Sequence, residues 1–393
     1  MNSLLRGPSP VIAGLPLVVE DGAIGVAGVR PVAGDGVARA LARLVDDTVA
    51  ADARERAIAV DQTNTSVIVD ERLVVKIVGS WAAADRAARL LERLTAAGSL
   101  DVARTVGSVR WRHPERGEST LAIVTEFLPD AEDGWTWAVD DAVGVLGGGS
   151  DPGWPATLGA AVARVHLALA TDAAAAADDT PTRRRARAED ALGRAVDATP
   201  GAEGARLRNR AVSLARDIRS LSDAAPGLEF AIHGDLHVGQ VLRSPGGDGA
   251  GPRYTVIDFD GDPQLDAAER ERPDAAARDV AHLLVSLDLV AAVAQKRLQR
   301  AEPAAFDWAD RARADLLAAY LAELGGAGRA DLFDAALLPG FEAEQLVAEL
   351  RYAERFLPRW RYAPDAAITR RHPSTDEHPE DPWTPPPFEP TST

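Results

Sequence analysis

The 393-residue sequence contains no cysteine, and only two of its 43 basic residues, Lys76 and Lys296, are lysines. Without cysteine the chain cannot form disulfides, zinc sites built on thiolates or a thiol nucleophile. Acidic residues number 60, so the formal net charge is −17. A chain with this charge is not expected to coat nucleic acid or an anionic membrane. The lysine at position 76, in a chain that otherwise uses arginine, needs an explanation.

Long apolar runs are missing as well. The alanine- and leucine-rich stretches are interrupted by Arg or Asp before they reach the roughly 20 apolar residues that a membrane span needs. The N-terminal segment lacks the apolar region of a secretory signal. A hydrophobic fraction of 46% is normal for a globular protein. These features predict a soluble cytoplasmic protein of two or three compact units.

The apolar patterns divide the chain into a β-rich first part and a helical second part. β-branched runs at 66–69 and 73–77 predict a hairpin, and helices are expected at 37–53 and 82–97. Further helices are predicted at 157–170, 183–198, 205–220, 274–297, 307–324 and 341–356, and further strands at 108–112, 121–127, 229–233 and 254–259. This order of elements predicts an α+β protein.

Four segments follow from these patterns. Residues 1–57 form an N-terminal subdomain, 58–130 a β-rich lobe, 131–371 a helical lobe and 372–393 a tail. The tail holds seven of the 26 prolines, so we expect it to be extended or disordered.

The densest cluster of chemically competent residues is His233-Gly-Asp-Leu-His-Val-Gly-Gln240, which is followed by Val-Ile-Asp258-Phe. Asp235 and Asp258 each follow an apolar strand, so both carboxylates are expected at one edge of the fold. Phosphoryl transfer needs one carboxylate to take the proton of the acceptor hydroxyl. It also needs oxygen ligands for Mg²⁺, which Asp258 and Gln240 can supply. The plain structural alternative is that these runs are only turns.

The order His-Gly-Asp-x-His-x-x-Gln, followed by Ile-Asp-Phe, resembles the aminoglycoside phosphotransferase branch of the protein-kinase-like fold. The resemblance implies a bilobal fold with Asp235 as the catalytic base and with Gln240 and Asp258 as magnesium ligands. It also implies that His233 and His237 support the catalytic loop. Gln240 departs from the more usual asparagine by one methylene group, which affects the metal geometry.

A closer resemblance extends over residues 15–365. It is carried by segments whose order and spacing are similar to those of the actinobacterial maltokinases: 61–66, 73–76, 126–135, 158–170, 233–263 and 349–360. The chain looks most like their sister group, the actinobacterial glucosamine kinases, which phosphorylate glucosamine at the 6-hydroxyl. These families carry an N-terminal cap subdomain before the kinase N-lobe, which matches residues 1–57. The resemblance implies ATP as phosphoryl donor and Mg²⁺ as cofactor.

The resemblance also gives Lys76 a role. On the third strand of the N-lobe it would contact the α- and β-phosphates of ATP, with Asp85 where such a lobe usually has a longer glutamate partner. The plain alternative is a lysine whose stem lies along a strand edge. The other implied ATP-binding residues lie in the turn before the hairpin and in the hinge: Gln62, Asn64, Ser66, Glu126, Phe127 and Leu128.

In the resembling kinases the acceptor sugar lies on the helical lobe against acidic and aromatic groups. An amino sugar carries a positive charge, which is costly to bury without a carboxylate partner. Maltose would need more aromatic platforms than a chain with 5% aromatic residues offers. On the helix predicted at 341–356, polar residues at three- and four-residue steps share one face, which is also typical of a solvated surface. The candidates are Asp262, Arg278, Asp279, Gln345, Glu349, Tyr352 and Trp360.

Together these residues predict an ATP-dependent sugar kinase with glucosamine as the preferred acceptor. The alternatives are a maltokinase, an aminoglycoside phosphotransferase, or a pseudokinase that binds nucleotide without turnover. The pseudokinase is disfavoured because Lys76, Asp235, Gln240 and Asp258 are all present. No nucleic-acid or membrane partner is expected, and the sequence does not determine whether the protein is a monomer or a dimer.

Overall fold

A computed structural model describes residues 2–58, 64–81, 86–223, 227–246, 251–299 and 304–374. Its strands are β1 (Ser3–Arg6), β2 (Val11–Ile12), β3 (Leu15–Glu20), β4 (Ala23–Val26), β5 (Glu55–Ala57), β6 (Thr65–Val69), β7 (Leu73–Ile77), β8 (Thr105–His113), β9 (Gly117–Glu126), β10 (Ala174–Ala175), β11 (Leu228–Glu229), β12 (Val241–Ser244) and β13 (Arg253–Val256). Its α-helices are α1 (Val37–Arg43), α2 (Arg86–Ala96), α3 (Gly134–Leu146), α4 (Trp154–Leu169), α5 (Thr180–Ala198), α6 (Gly201–Asp223), α7 (Ala267–Glu271), α8 (Ala276–Leu298), α9 (Ala304–Gly326), α10 (Leu338–Phe356) and α11 (Tyr362–Arg371). Short 3₁₀ turns lie at Ala170–Asp172, Val238–Gln240, Ala330–Leu332, Ala335–Leu337 and Pro358–Trp360. The predicted α+β class is confirmed.

The chain divides into two compact units, Met1–Ala131 with Ser244–Glu271 and Glu132–Arg243 with Arg272–Thr393. The first unit contains strands β1 to β9, and the second contains helices α3 to α6 and α8 to α11. Among the described helices, none has the length and apolar character needed to cross a membrane.

The first unit is built on a six-stranded sheet with the order β1-β8-β9-β7-β6-β5. Strand β1 runs parallel to β8, and the other neighbours are antiparallel. The predicted hairpin is present as β6 and β7, with Ser66 opposite Lys76. Leu17 and Leu41 of the N-terminal segment share one hydrophobic core with Val75 and Trp111 of the sheet. The predicted boundary near residue 57 therefore crosses a continuous core.

Helix α1 ends ten residues earlier than the predicted end at residue 53. The reason is a local hydrogen bond: Asp46 Oδ1 accepts from the backbone N–H of Thr48 at 3.0 Å and from its hydroxyl at 2.6 Å. A side chain that bonds to the backbone two residues later offers an alternative to the helix. The prediction of a helix over 37–53 was therefore too long.

The second unit is organised around α8, in which every residue from Ala276 to Gln295 is buried. A helix that is buried on all sides lies at the centre of a helical core. Helices α3, α9, α10 and α11 pack against it, and α4 packs on α9. The central position of α8 matters because two of its polar side chains hold the segment that contains Asp235.

Two predicted strands are shorter than expected. The run at 229–233 is a strand only at Leu228–Glu229, and the run at 254–259 only at Arg253–Val256. In both places the chain leaves the strand before the acidic residues that the sequence predicts as site residues, Asp235 and Asp258. The sequence prediction also lacked α11, in which Pro364 occupies the first turn, a position that proline tolerates.

Candidate active site

In the first unit, Lys76 lies on β7 and contacts two carboxylates. Its Nζ donates to Asp258 Oδ1 at 2.7 Å and lies 2.8 Å from Asp260 Oδ2. Val75 before it faces the core, so the alternation along the strand directs Lys76 to the opposite face. The Lys76 side chain is 19% exposed, against 40% for Asp258 and 35% for Asp260. A half-buried cation thus links strand β7 to the segment after β13.

The protonation state of Lys76 follows from these neighbours. Burial alone would lower the pKa of its ammonium group, but the charges and hydrogen bonds of Asp258 and Asp260 outweigh burial and raise the pKa above its ordinary value. Lys76 is therefore a permanent cation at physiological pH.

Asp258 has an unusual backbone. Its φ angle is +64°, in the left-handed region that costs a non-glycine residue about 1–2 kcal/mol. The next residue, Phe259, is fully buried and anchors this conformation. Backbone strain of this kind persists where the surrounding structure fixes it, often at functional sites. Here it accompanies the placement of the Asp258 carboxylate on Lys76.

Asp260 was not among the predicted site residues. Asn64 Nδ2 donates to Asp260 Oδ2 at 2.9 Å, so this predicted ATP-binding residue belongs to the same cluster. The acidic run from Asp258 to Asp262 was the available signal, but it does not indicate which carboxylate reaches Lys76. The third acid of that run, Asp262, instead accepts from the backbone N–H of Gln264 at 2.8 Å.

The remaining predicted ATP-binding residues have different outcomes. Gln62 and Asp85 lie outside the described residues. In the predicted hinge, the N–H of Glu126 donates to the carbonyl of Arg104 and the N–H of Phe127 donates to the carbonyl of Arg72. Two hinge amides are thus already used within the sheet, and Leu128 follows them directly.

A cavity of about 630 Å³ lies near this hinge. Glu126 and Phe127 are among its lining residues, but Lys76 and Asp258 are not. Two of the charged side chains that line the cavity pair with each other, since Arg104 Nε lies 3.8 Å from Glu126 Oε2. The cavity is therefore separate from the Lys76 cluster.

In the second unit, the segment His233–Gln240 is a loop held from below by α8. The backbone N–H groups of His233 and Gly234 donate to the two oxygens of Asp279 at 2.6 and 2.8 Å. Two turns further along the helix, Ser286 Oγ accepts from the N–H of Val238 at 3.1 Å. The loop is thereby fixed at both ends on one buried helix. Ser286 was missed because a single serine in an apolar helix gives no sign of its partner.

The loop also has internal contacts. The N–H of Asp235 donates to His233 Nδ1 at 3.3 Å, and the N–H of Gln240 donates to the carbonyl of His237. Gly234 has a φ angle of +86°, which glycine adopts without steric cost. His233 is buried, so its side chain lies against the backbone of the residue predicted to be the base.

The start of α3 closes one side of this loop. The Trp135 ring stacks on His237 with centroids 5.7 Å apart and an angle of 27° between the planes. A Cβ on Gly134 would lie 1.6 Å from the carbonyl oxygen of Val238, and one on Gly239 would lie 2.4 Å from Trp135 Nε1. Glycine is therefore required at position 134, where the close atom belongs to the backbone, whereas a side chain at position 239 would have to displace the rings of Trp135 and His237. Trp135 had not been predicted as a site residue.

Asp279 and Arg278, predicted to contact the sugar, are both buried. Burial would raise the pKa of Asp279, but the hydrogen bond and charge of His166, with those of the loop, hold it well below its usual range. Arg278 lies 3.5 Å from Asp274. Both oxygens of Asp279 are committed to the loop and to His166, so its observed contacts are with protein groups.

On α10, Gln345 Nε2 donates to Glu349 Oε1 at 2.8 Å. Gln345 is buried, and Glu349 and Tyr352 are partly exposed, so this face is not a fully solvated surface. Trp360, in the 3₁₀ turn after α10, is 43% exposed and its ring is stacked with that of Tyr362, with centroids 6.4 Å apart.

No group of three or more His, Asp or Glu side chains is arranged to hold a metal ion in the part of the chain that the structure describes. Asp258 and Asp260 do form an oxygen pair that already holds a cation, the Lys76 ammonium. Such hard oxygen donors fit Mg²⁺, which usually takes one or two carboxylates and completes its shell with phosphate oxygens and water.

Comparison with known proteins places these features in a family. No protein-family model matches the chain. It is 38% identical over 326 residues to a glucosamine kinase of Mycolicibacterium smegmatis, covering 80% of this chain and 78% of the relative. It is 39% identical over 384 residues to a glucosamine kinase of Streptacidiphilus jiangxiensis, covering 90% and 84%. A solved glucosamine kinase in complex with glucosamine, ADP and inorganic phosphate matches the structure with a TM-score of 0.77 at 34% identity, covering 91% of this chain and 87% of that chain.

Proposed function

The chain belongs to the glucosamine kinase family, and we propose that it transfers the γ-phosphoryl group of ATP to the 6-hydroxyl of glucosamine. The observation that carries the proposal is the match over 91% of the chain with a solved kinase that holds glucosamine, ADP and phosphate. In the reaction, the bond between the γ-phosphorus and its bridging oxygen breaks and a bond to the sugar O6 forms. The products are ADP and glucosamine 6-phosphate.

Asp235 is proposed as the general base. Its carboxylate accepts the proton of the sugar hydroxyl as the new bond to phosphorus forms. The support is the anchoring of its loop: the two residues before it donate their amides to Asp279, and its own N–H donates to His233. Catalysis by positioning requires that such a group be held within a fraction of an ångström. His237, stacked on Trp135, is proposed to support the same loop.

Lys76 is proposed to bind the α- and β-phosphates of ATP. Its charge is matched by Asp258 and Asp260, and the negative phosphates would compete with these carboxylates for it. Asn64 and Ser66 lie on or beside the hairpin that carries Lys76 and are proposed to approach the same phosphates. Because two hinge amides are used within the sheet, adenine would be recognised by hinge carbonyls or by the backbone of Leu128.

Asp258 and Gln240 are proposed as the side chains that would supply oxygen ligands to Mg²⁺. When bound, Mg²⁺ offsets the negative charge of the β- and γ-phosphates. Asp258 is suited to this role because its strained backbone already directs the carboxylate at a cation. Asp260 is a further oxygen donor beside it.

The acceptor site is proposed to lie on α10. Gln345 orients the Glu349 carboxylate, which supplies the negative partner that the ammonium group of glucosamine needs. Tyr352 and Trp360 add aromatic surface for the sugar ring, while Asp262 and Arg278 remain predicted contacts. A site that pairs with the amino group rejects a neutral sugar, because its carboxylate would be left without a partner.

A panel of acceptors tests the proposal. The purified chain is assayed with ATP and magnesium on glucosamine, glucose, N-acetylglucosamine, maltose and an aminoglycoside, and kcat/KM is compared. We expect glucosamine to give the highest value, with glucose below it. A higher value on maltose or on the aminoglycoside would contradict the proposed acceptor.

A further inference from the structure

The acidic segment, residues 257–266, lies between β13 and α7 and forms neither strand nor helix. Asp258 and Gly261 both have φ angles in the left-handed region, at +64° and +78°. Phe259 is fully buried, whereas the side chains of Asp258 and Asp260 are 40% and 35% exposed. Because the segment lacks the regular hydrogen bonds of a helix or a sheet, its position depends on contacts with neighbouring elements.

A buried arginine on α2 supplies such a contact. Arg86, the first residue of α2, is 6% exposed, and its Nη1 donates to the carbonyl of Arg270 in α7 at 2.7 Å. A Cβ on Gly261 would lie 3.2 Å from Arg86 Nε and 3.7 Å from Arg270 Cγ, so these three residues pack together. A buried guanidinium is costly without such partners. The Arg86 side chain therefore ties α2 to the residue that directly follows Asp260.

Local hydrogen bonds connect the acidic segment to α7. Asp262 Oδ1 accepts from the backbone N–H two residues later at 2.8 Å. Asp266 Oδ1 accepts from the backbone N–H three residues later, in the first turn of α7, at 2.9 Å. The stretch from Gly261 to Arg270 is thus bonded along its length, and the contact of Arg86 with both of its ends holds it on α2.

Lys76 and Arg86 hold the acidic segment through different acceptors. Lys76 binds the carboxylates of Asp258 and Asp260. Arg86 donates to a carbonyl, so this bond uses no carboxylate oxygen. In the proposed reaction the phosphates of ATP compete with the two carboxylates for Lys76. The bond from Arg86 takes no part in that competition, so it continues to hold the segment while Lys76 changes partners.

Resting on the proposed function, we propose that Arg86 is a positioning residue for phosphoryl transfer. It holds the acidic segment on α2 and thereby sets the direction in which Asp258 and Asp260 present their carboxylates to Mg²⁺. Residues that orient the ligands of a metal typically contribute 10- to 100-fold to metal affinity or activity. The effect of Arg86 is thus expected on the magnesium requirement rather than on sugar binding.

Substitutions on α2 separate this contact from the general packing of the helix. Arg86→Met keeps an apolar stem and removes the donor, whereas Arg86→Lys keeps the charge and a donor. Arg89→Met is the matched control, because Arg89 pairs with Glu271 of the same α7 but is 55% exposed. An exposed ion pair contributes little to stability.

A second pair of variants tests the contact from the side of the acidic segment. Gly261→Ala would place a Cβ 3.2 Å from Arg86 Nε. Gly117→Ala is its control, because Gly117 has a similar φ angle of +81° and no described atom lies within 4 Å of a Cβ there. The two variants share the cost of an alanine in the left-handed region, and they differ in the approach to Arg86.

Hydrogen–deuterium exchange of the full chain without substrates reports on the segment independently of activity. We expect Arg86→Met to speed exchange in a peptide covering residues 257–271 by about tenfold or more, as the loss of one hydrogen bond from a charged donor predicts. Arg86→Lys should recover part of the protection, and Arg89→Met should exchange near the wild-type rate.

The kinase assay supplies the second readout. We expect Arg86→Met to raise the Mg²⁺ concentration for half-maximal rate by about tenfold, while KM for glucosamine stays within about twofold of wild type. Arg86→Lys should show a smaller rise. Damage to the whole fold would instead change both constants, so the comparison separates positioning from a merely structural role.

Wild-type exchange or wild-type magnesium dependence in folded Arg86→Met would overturn the proposal, and so would an equal effect of Arg89→Met. If Arg86→Met fails to fold, Gly261→Ala against Gly117→Ala gives the decision, since only Gly261→Ala should speed exchange and raise the magnesium requirement. A wild type without activity on glucosamine would refute the proposed function, and exchange alone would then decide whether Arg86 holds the segment.

Discussion

Replacement of Lys76 gives the sharpest prediction about nucleotide binding. Its Nζ contacts Asp258 and Asp260 at 2.7 and 2.8 Å, which shows that a compact ammonium fits the site. A hydrogen bond to a charged group contributes about 1.5–3 kcal/mol. If one such contact to the phosphates is lost at the transition state, kcat/KM for ATP falls by roughly 10- to 150-fold. This is the loss expected for Lys76→Met.

Lys76→Arg separates charge from geometry. A guanidinium keeps the positive charge, but its planar fork is larger than an ammonium and does not replace a point-like contact. We therefore expect Lys76→Arg to remain at least about tenfold below wild type. The chain carries 41 arginines beside its two lysines, so its composition alone would favour arginine here.

The stability cost of Lys76→Met should be smaller than its catalytic cost. The substitution leaves two carboxylates without their cation, but both are more than a third exposed, so water and salt screen them. Urea unfolding should show a loss of about 1 kcal/mol.

The second lysine supplies the control. Lys296 lies 3.7 Å from the centroid of the Tyr362 ring in the second unit, so Lys296→Met and Lys296→Arg should keep kcat/KM close to wild type. Steady-state ADP release at varied ATP measures all four variants. Wild-type kcat/KM in Lys76→Met would refute the assignment of Lys76 to the phosphates, and wild-type kcat/KM in Lys76→Arg would refute the requirement for a compact cation.

Three further predictions concern the acceptor, the loop and pH. Glu349→Gln should reduce kcat/KM for glucosamine by roughly 100-fold or more and kcat/KM for glucose much less, because only the amino sugar needs the carboxylate. Equal losses on both sugars would contradict the pairing of Glu349 with the amino group. Gly134→Ala should lower Tm and kcat together, because its Cβ would lie 1.6 Å from the carbonyl oxygen of Val238. Gly144→Ala on the same helix is the control, and it should be neutral or stabilising because the space at its Cβ is open. A Gly134→Ala protein as stable and active as wild type would disprove the close contact. Burial, with two neighbouring arginines, lowers the pKa of His372 from 6.5 to about 4. Between pH 6.5 and about pH 4 the unfolded state therefore binds more protons than the folded state. The contribution of neutral His372 to the free energy of unfolding is fully present above pH 6.5, and it is lost as the pH falls toward 4. Urea unfolding should show a loss of about 2 kcal/mol between about pH 7 and about pH 5 that His372→Gln removes, and the same loss in that variant would point to another group.

Local sequence patterns were enough to place Lys76. The alternation of β-branched residues predicts the hairpin of β6 and β7, and alternation along β7 puts Lys76 on the face opposite Val75. The family resemblance read from the sequence is confirmed by relatives at 38% and 39% identity.

The contacts that organise the predicted catalytic loop, His233–Gln240, could not be read from the sequence. Asp279 lies 46 residues from His233, and its role depends on how α8 packs rather than on any local pattern. From the sequence Asp279 was expected to contact the sugar. The residue type and its position in a helix do not show whether a carboxylate is buried among protein groups or exposed to a ligand. His166 was expected to be a satisfied core residue, and its two partners lie 113 and 154 residues away.

Backbone conformation is the other feature of the site that the sequence did not predict. The strand predictions at 229–233 and 254–259 followed apolar runs that continue beyond the last strand residue, and Asp258 then adopts a left-handed conformation that its residue type does not announce. Asp260 joins the Lys76 cluster because of that bend.

The proposed role of Asp235 as the base that phosphorylates glucosamine is tested most directly by one comparison. Wild type and Asp235→Asn are incubated with ATP, magnesium and glucosamine, and the sugar phosphate is followed by ³¹P NMR while ADP binding is measured by calorimetry. We expect wild type to form glucosamine 6-phosphate, and Asp235→Asn to lose roughly 1000-fold or more in rate while it binds ADP as wild type does. A rate for Asp235→Asn within tenfold of wild type would show that Asp235 is not the base.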